Sequence, residues 1–298
     1  MSDKGRVIAL GFFDGVHVGH KALLDKVTDR AKQMDLIPSV INFDVHPDSL
    51  VFKKPVDLIY NSSKRTEILR KEFDINDIIM IHFDRELMTT PWDVFLADLI
   101  SENRVKWIVV GYDFKFGYKG LGTPERIKEF CDNTGLGFDM IPAVLLDGNI
   151  VSSSMIRNCI TAGDMETANK LLGREFSISG TIVHGKHLGS KIGFPTVNIN
   201  MPDGISVPSF GVYASRTLVK GKFFDSVTNV GRRPTFYTES EIVIETHLLN
   251  DFDDLYGIIA EIFFYKKLRN EIRFSDASEL SLQISEDIKN TEEFFQKK

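Results

Sequence analysis

The sequence predicts two domains: an α/β domain with a parallel sheet and helices on both faces, and then a small antiparallel β-barrel with a C-terminal helix. In the first half, short apolar runs alternate with amphipathic helical runs, which is typical of a parallel sheet. From Phe176 onwards, alternating strands are separated by glycine and proline turns, which favours a barrel. We place the boundary near Gly173, which gives domains of residues 1–173 and 174–298.

Strands and helices alternate through the first domain. Apolar runs predict strands at residues 7–13, 38–43, 77–83 and 107–111, and helical periodicity predicts helices at 22–31, 64–73, 91–100 and 124–131. Ligands of such sheets bind beyond the carboxyl ends of the strands. Four polar residues follow strand ends and are expected at one edge of the sheet: His17, His20, His46 and Asp113.

The connection between the first strand and the first helix carries two histidines three residues apart, His17 and His20. A helix start offers free N–H groups and the positive end of the helix dipole, which favour an anion. Imidazole N–H groups can donate to phosphate oxygens, and Gly19 lets a phosphate approach the backbone. The connection therefore predicts a phosphate site. The alternative is that the histidine pair is only structural.

Composition excludes several classes of function. The chain has 298 residues, 43% hydrophobic and 26% charged, with a net charge of −6. This acidic balance does not favour binding to nucleic acid or to an anionic membrane. The two cysteines, Cys131 and Cys159, lack C-x-x-C spacing, which suits a reducing compartment. No signal-peptide pattern precedes the first strand and no apolar run reaches membrane-spanning length, so we expect a cytoplasmic protein.

A serine run links the two halves. Ser152, Ser153 and Ser154 precede an apolar helical stretch, which is an N-cap arrangement. The alternative is that their hydroxyls and Arg157 form a second phosphate clamp. Beyond the barrel strands, residues 275–295 predict a terminal helix capped by Ser278, with an apolar stripe that packs on the core.

Motifs in both halves carry a resemblance to a known family. The first half contains GFFDGVHVGH at 11–20, FDVHP at 43–47, GYDFKFG at 111–117 and SSSMIR at 152–157. The second contains GTIVHG at 180–185, GFPTVN at 193–198, NVGRRPTF at 229–236, ETHLL at 245–249, DLYG at 254–257 and LRNE at 268–271. In this order, over nearly the full length, the chain resembles the bacterial bifunctional riboflavin kinase/FMN adenylyltransferase (FAD synthetase) family.

For the first domain the resemblance implies a Rossmann-like nucleotidyltransferase that transfers AMP from ATP to FMN and releases pyrophosphate. The FMN phosphate is already anionic, so alignment and charge stabilisation suffice without a strong base. The implied ATP-binding residues are Gly11, Phe12, Phe13, Asp14, His17, His20, Ser153, Ser154 and Arg157, of which His17, His20 and Arg157 are catalytic. The implied flavin-binding residues are His46, Pro47, Asp113 and Phe116; for His46 the alternative is a turn histidine before proline.

For the second domain the resemblance implies transfer of the γ-phosphoryl group of ATP to the ribityl 5′-hydroxyl of riboflavin. That nucleophile is neutral, so a base is useful and a metal is needed to screen the phosphates. The implied residues are Gly193, Pro195, Thr196 and Asn198 for ATP, Thr196 and Asn198 for Mg²⁺, Glu245 as the base, and Glu245 with Arg269 for the flavin. The expected partners are ATP, riboflavin, FMN and FAD, with no nucleic acid or membrane; the oligomeric state is left open.

Two residues depart from the family pattern. Ser190 and Leu121 stand where basic residues are common, and Lys191 and Lys119 could compensate as point charges without arginine's bidentate geometry. The alternatives are that only one of the two activities is retained, or that the chain is a flavin-binding regulatory module without turnover. An aminoacyl-tRNA synthetase, which shares the H-x-G-H pattern, is disfavoured because no K-M-S-K-S-type run is present.

Overall fold

The computed structural model describes residues 4–185, 193–233, 241–250 and 255–298. Contacts divide the chain into two compact units, Met1–Ser153 and Ser154–Lys298. The division by contacts groups two helices after Ser153 with the barrel, whereas the sequence places its boundary after residue 173; that boundary stays a prediction.

The first unit is built on a five-stranded parallel sheet. Its strands are β1 (Arg6–Leu10), β2 (Ile37–Phe43), β3 (Asp77–Ile81), β4 (Val105–Gly111) and β5 (Gly137–Ile141), in the spatial order β3-β2-β1-β4-β5. The four strands expected from apolar runs are present. β5 was not expected, because its five residues include Asp139, whose carboxylate pairs with Arg30 at 2.7 Å.

Helices cover this sheet: α1 (Val18–Met34), α2 (Pro47–Val51), α3 (Ser62–Phe73), α4 (Arg85–Thr89), α5 (Trp92–Asn103) and α6 (Pro124–Thr134). Ile8 and Leu10 of β1 pack in one cluster with residues of α5 and α6. The equally buried Val7 and Ala9 point the other way along the strand, and α1 contacts β1, β2 and β4. A short hairpin, β6 (Leu145–Leu146) and β7 (Asn149–Ile150), follows the sheet.

The second unit is a closed barrel with helices beside it. Helices α7 (Ser153–Ala162) and α8 (Met165–Leu172) precede the strands β8 (Phe176–Val183), β9 (Thr196–Asn200), β10 (Gly211–Val219), β11 (Lys222–Arg233), β12 (Glu241–Leu248) and β13 (Ile259–Arg269). The strands close in the order β10-β11-β12-β9-β8-β13. The parallel sheet followed by an antiparallel barrel confirms the predicted fold class.

A chain of buried hydroxyl groups runs across three neighbouring barrel strands. Its members are Thr217, Ser226, Ser215, Thr228 and Thr246, each fully buried. Successive hydroxyl oxygens in that order lie 2.9, 2.9, 2.7 and 2.9 Å apart. These buried polar groups are therefore hydrogen-bonded to one another.

The terminal helix, α9 (Ala277–Gln296), begins two residues earlier than a cap at Ser278 allows. Asp276 is the N-cap: its carboxylate accepts from the backbone N–H groups of Ser278 and Glu279, each at 2.9 Å. Ser278 already lies inside the first turn, so its prediction as the cap was wrong. The predicted apolar stripe is also incomplete, since Leu282 is 74% exposed.

No helix in the described part of the chain is both long and apolar enough to cross a membrane.

A buried ion pair joins α9 to the end of β13. The guanidinium of Arg269 donates to both carboxylate oxygens of Asp287, from Nε at 3.0 and 3.1 Å and from Nη2 at 2.8 Å. The Asp287 side chain is 3% exposed and that of Arg269 is 18% exposed. A fork of this kind needs both partners, because either charge alone would be left poorly solvated.

We expect Arg269→Met to weaken the docking of α9 by about 3 kcal/mol, because Asp287 loses its buried partner. Both tryptophans, Trp92 and Trp107, lie in the first unit, so fluorescence does not report on this helix. Hydrogen exchange of the α9 amides measures the loss directly. Adding Asp287→Leu should restore part of the protection, and an unchanged exchange rate in the single variant would contradict a structural role for Arg269.

Candidate active sites

A cavity of about 700 Å³ opens at the carboxyl edge of the parallel sheet in the first unit. Many residues predicted for nucleotide or flavin line it: Gly11, Phe12, Phe13, Asp14, His20, His46, Pro47, Asp113, Phe116 and Ser153. Its wall also holds residues that sequence reasoning missed: Phe83, Leu87, Met88, Phe95, Phe114 and Lys115. Lys119, expected to compensate for Leu121, lines it too. The apolar members come from the β3–α4 connection, from α4 and α5, and from the segment after β4. In these places an apolar residue gives no signal that separates a cavity wall from core.

The backbone between β1 and α1 is strained. Phe13 and Val16 have positive φ values, 53° and 44°, which non-glycine residues rarely adopt. The Asp14 carboxylate, 2% exposed, accepts from the backbone N–H groups of Ile59 and Tyr60 at 2.9 and 3.4 Å. Ser153 Oγ donates to the backbone oxygen of Asp14 at 2.9 Å. Residues distant in sequence therefore hold this connection in its shape.

His17 and His20 form a reciprocal cap at the start of α1. The backbone N–H of His20 donates to Nδ1 of His17, and the backbone N–H of His17 donates to Nδ1 of His20, both at 3.3 Å. The rings stack with their centroids 3.7 Å apart and 16° between their planes. Each ring thus satisfies a backbone donor that the helix start would otherwise leave without a partner.

The reciprocal cap decides where the two histidines carry their protons. A neutral imidazole has one acceptor nitrogen and one N–H, so a ring that accepts at Nδ1 carries its proton at Nε2. Both rings are therefore hydrogen-bond donors at Nε2. Gly19 also leaves room for the His17 ring, because a Cβ there would lie 3.0 Å from two atoms of that ring.

His46 is a turn histidine before proline, as the alternative for it predicted, and it also lines the cavity; its contact with flavin stays a prediction. It is the N-cap of α2, where its Nδ1 accepts from the backbone N–H of Asp48 at 3.2 Å and Pro47 occupies the first turn. Its ring also lies 4.5 Å from that of Phe12 and lines the cavity. Phe116 is 9% exposed and stacks with Phe114 at 5.5 Å. An aromatic wall of this kind suits a flat ring system.

Some predicted residues lie apart from this cavity wall. Ser154 and Arg157 belong to the second unit by contacts, and Arg157 Nη2 donates to Ser154 Oγ at 3.1 Å along α7. Leu121 is 47% exposed, and Lys119 lines the cavity nearby. Ser190 and Lys191 lie outside the described residues.

The second predicted site is a row of side chains on β9 and β12. Asn198 pairs with Glu245 and Thr196 with His247 in the antiparallel register, so these four side chains share one face of the sheet. The intervening Val197 and Thr246 are buried and face the other way. On its other side Glu245 pairs with Asn229 of β11. The carboxylate is thus flanked by an asparagine on each neighbouring strand.

The chemistry of this row fits a Mg²⁺–nucleotide. Hydroxyl and amide oxygens are ligands that Mg²⁺ accepts, and it commonly combines a few protein oxygens with substrate phosphates. Asn198 is 5% exposed, and a Cβ on Gly185 would lie 2.1 Å from its Nδ2, so the absence of a side chain at Gly185 leaves room for the amide. The described residues hold no group of three or more His, Cys, Asp or Glu side chains arranged for a metal ion.

Four further residues predicted for this site, or adjacent to it in sequence, have defined conformations or contacts. Gly193 has a φ of +89°, a conformation that favours glycine. The backbone oxygen of Pro195 accepts from Nδ1 of His247 at 2.8 Å. Sequence reasoning quoted His247 in a motif but gave it no role, although its position two residues after Glu245 places it on the same face. Arg269, predicted to bind flavin, is held by Asp287; its contact with flavin stays a prediction.

A histidine–aspartate pair links the ends of β2 and β3 beside the first cavity. His82 Nδ1 donates to Asp44 Oδ2 at 2.6 Å, and the N–H of the cavity residue Phe83 donates to Asp44 Oδ1 at 3.0 Å. The hydrogen bond to Asp44 and the charge of that carboxylate raise the pKa of His82 above its ordinary value. While Asp44 is ionised, protonated His82 therefore stabilises the fold fully below the unfolded-state pKa of histidine, and this contribution is lost as pH rises through the raised pKa of His82.

Asp44→Asn should bring the pKa of His82 back towards that of an unperturbed histidine, because both the charge and the charge-assisted bond are lost. An NMR titration of the His82 ring resonances, assigned with His82→Asn, measures the change. Asp84→Asn is the matched control, since Asp84 raises the pKa of His82 only through its charge. An equal shift in the two variants would contradict a specific role for the Asp44 bond.

Comparisons with known proteins match a different family model to each part of the chain. A family model described as FAD synthetase matches residues 1–155, and one described as riboflavin kinase matches residues 172–295. The bifunctional riboflavin kinase/FMN adenylyltransferase of Escherichia coli (strain K12) is 35% identical, over 98% of this chain and 93% of that protein. The Listeria monocytogenes protein of the same name is 30% identical, over 99% of this chain and 94% of that protein.

A solved structure shares the whole fold. A crystal structure from Streptococcus pneumoniae, described as a macrolide-efflux protein, has a TM-score of 0.90 and 26% sequence identity, covering 98% of this chain and 95% of that one. Two family models in the order of the two units, with relatives matched along nearly their full length, leave a single conclusion. The chain belongs to the bifunctional riboflavin kinase/FMN adenylyltransferase family.

Proposed function

We propose that this chain makes FAD in two steps, with riboflavin phosphorylated at the Thr196–Asn198–Glu245 row and FMN adenylylated at the cavity beside His17 and His20. The reciprocal histidine cap is the observation that carries the proposal. It presents two Nε2–H donors at the start of a helix, where a triphosphate is favoured by the helix dipole. We assign residues 1–173 to adenylylation and 174–298 to phosphorylation.

In the adenylylation step, an FMN phosphate oxygen attacks the α-phosphorus of ATP, and the bond to the bridging oxygen of pyrophosphate breaks. His17 and His20 donate hydrogen bonds to phosphate oxygens and so stabilise the charge that develops there. Ser153, Ser154 and Arg157 bind the departing pyrophosphate, with arginine suited to paired phosphate oxygens. His46, Pro47, Asp113 and Phe116 hold the flavin in line with the nucleotide.

In the phosphorylation step, the carboxylate of Glu245 accepts the proton of the ribityl 5′-hydroxyl, and the hydroxyl oxygen attacks the γ-phosphorus of ATP as ADP leaves. Thr196 and Asn198 would hold Mg²⁺ with the nucleotide. When bound, that ion screens the phosphate charges and so lowers the cost of attack. The asparagines on either side of Glu245 orient its carboxylate, and His247 holds the backbone that carries Thr196.

The two steps are chemically consecutive, because the phosphate that one installs is the nucleophile of the other. A flavin-binding module without turnover would need neither a base opposite the nucleotide residues nor histidine donors at a helix start. The cytoplasm remains our expected location.

Changes at the two sites should separate the two products. His17→Ala should abolish FAD formation and spare FMN formation, because a phosphate donor is lost only from the adenylylation site. Glu245→Gln keeps the shape of the carboxylate but not its basicity, and should lower FMN formation by about 10²–10⁴-fold while FMN added directly is still converted to FAD. Chromatography of products from riboflavin or FMN with ATP and Mg²⁺, in air and with reduced flavin, measures both.

Loss of both products from either change would indicate a folding defect. If the protein without substitutions forms only FMN or only FAD, a single activity is retained. If it forms neither product, the regulatory module without turnover is favoured.

His20 allows the proposed proton position to be tested with two variants. Glutamine places an amide N–H near the position of Nε2, whereas asparagine places its amide near Nδ1 and keeps only the capping acceptor. We expect His20→Gln to retain at least about tenfold more adenylylation than His20→Asn, since one lost donor to developing charge typically costs 10²–10³-fold. Steady-state kcat values for FAD formation by the two variants measure this difference. A more active asparagine variant would mean that capping, rather than donation from Nε2, is what His20 supplies.

A further inference from the structure

Arg65 is a buried arginine that no step above uses. It lies on the face of α3 that also carries the buried Ile68 and Leu69, and its exposure is 0%. Its Nη1 donates to the backbone oxygen of Phe12 and, at 3.1 Å, to Oδ1 of Asn42; its Nη2 donates to the backbone oxygen of Phe43 at 3.3 Å. One guanidinium thus ties the connection after β1 to the end of β2, at the edge where the first cavity opens.

Burying this cation is costly for the fold. Within the described part of the chain, Nε of Arg65 and Nδ2 of Asn42 have no hydrogen-bond partner. Burial lowers the pKa of Arg65 to about 10, and the negative charge of Asp14 opposes that effect, so the guanidinium is charged at neutral pH. A buried charge whose donors are only partly paired is a poor source of stability. Its position at the cavity edge therefore points to a role other than stability.

The hydrogen bond to Phe12 acts on the strained backbone. The carbonyl that Arg65 binds belongs to the peptide between Phe12 and Phe13, directly before the left-handed conformation of Phe13. Fixing this peptide plane favours the positive φ of Phe13, which costs of order 1–3 kcal/mol without such support. The positions of Asp14 and of the histidine cap follow from that turn.

The guanidinium also fixes a side chain of the cavity wall. Its central carbon lies 4.0 Å from the centroid of the Phe12 ring, and the His46 ring meets that ring at 4.5 Å. Phe12 is therefore in contact with both a buried cation and a histidine that lines the cavity. A guanidinium plane stacks on such a ring more closely than an ammonium group can.

From these contacts we propose that Arg65 is a positioning residue for FMN adenylylation: it sets the Phe12–Phe13 turn and the Phe12 ring, and through them the placement of nucleotide and flavin, without touching either substrate. This rests on the adenylylation proposed for the cavity. It predicts that changes at Arg65 lower the rate of the chemical step more than they lower stability.

The chain offers a matched control in Arg30. Its guanidinium pairs with the Asp139 carboxylate at 2.7 and 3.2 Å and lies 4.5 Å from the Trp107 ring, so it also joins hydrogen bonds to an aromatic contact in the same unit away from the cavity, with a side chain that is 31% exposed. The variants are Arg65→Lys, Arg65→Met, Arg30→Lys and Arg30→Met. Tryptophan fluorescence gives the thermal midpoint of the first unit, and FMN formation is an internal standard for active protein.

We expect Arg65→Lys to lower kcat for FAD formation at least about tenfold with smaller changes in KM, because displacement of about 1 Å can cost 10²-fold. FMN formation by the Arg65 variants should stay within about twofold of that of the protein without substitutions. FAD formation by each Arg30 variant that remains folded should stay within the same limit. Arg65→Met should lose more than Arg65→Lys. Hydrogen exchange of the amides at 12–20 should rise in both Arg65 variants and not in those of Arg30.

The proposal is overturned if Arg65→Lys keeps FAD formation within about twofold, or if its loss is matched by an Arg30 variant of equal thermal midpoint. If Arg65→Met unfolds the first unit, the lysine variant decides alone. The exchange measurement separates this proposal from the proposed function. If the protein without substitutions makes no FAD, the proposed adenylylation is overturned. If the hydrogen-exchange rates of the amides at residues 12–20 are the same in the Arg65 variants as in the protein without substitutions, the positioning role is overturned.

Discussion

The short connection from β1 to α1 depends on hydrogen bonds that fix its backbone before any substrate arrives. Arg65 holds the carbonyl of Phe12, the carboxylate of Asp14 holds the amides of Ile59 and Tyr60, and Ser153 holds the carbonyl of Asp14. Together they stabilise a turn with two non-glycine residues at positive φ. The histidine cap can form only at the end of this turn, so the donors for phosphate inherit their position from buried groups.

In the second unit, the site residues are positioned by the pairing register of the strands alone. In an antiparallel barrel, the pairing of β9 with β12 decides that Asn198 meets Glu245 and that Thr196 meets His247. A slip of β9 by one residue would turn Thr196 and Asn198 to the other face, away from Glu245 and His247. Here the site is precise because the barrel is closed and its interior is filled, whereas in the first unit precision comes from side chains that brace a loop.

Periodicity was enough to predict both layers of the fold, because buried faces repeat every two or 3.6 residues. It was also enough to place His17 and His20 at a helix start. It could not reveal that the two rings cap each other, since that depends on ring orientation. Ser278 was taken for the cap because serine favours that position, and the competing carboxylate of Asp276 took it. The sequence gives one indication of a buried Arg65, which is that it falls on the apolar face of α3. The same pattern is also expected when a helix has a polar residue at the border of its apolar face, so it does not single out Arg65.

The hydroxyl chain inside the barrel has a consequence for sequence change. Each hydroxyl donates only once, and that of Ser215 donates to the backbone oxygen of Ser226 at 2.9 Å, so Ser215 Oγ accepts from the hydroxyls of Ser226 and Thr228 on either side. Replacing one of the five side chains with an apolar one leaves the neighbouring buried hydroxyls without a hydrogen-bond partner. Replacing all five with apolar groups of similar shape leaves no buried hydroxyl that needs a partner. We therefore expect these five positions to co-vary among relatives, with hydroxyl and apolar versions of the interior exchanged as sets and mixtures counter-selected.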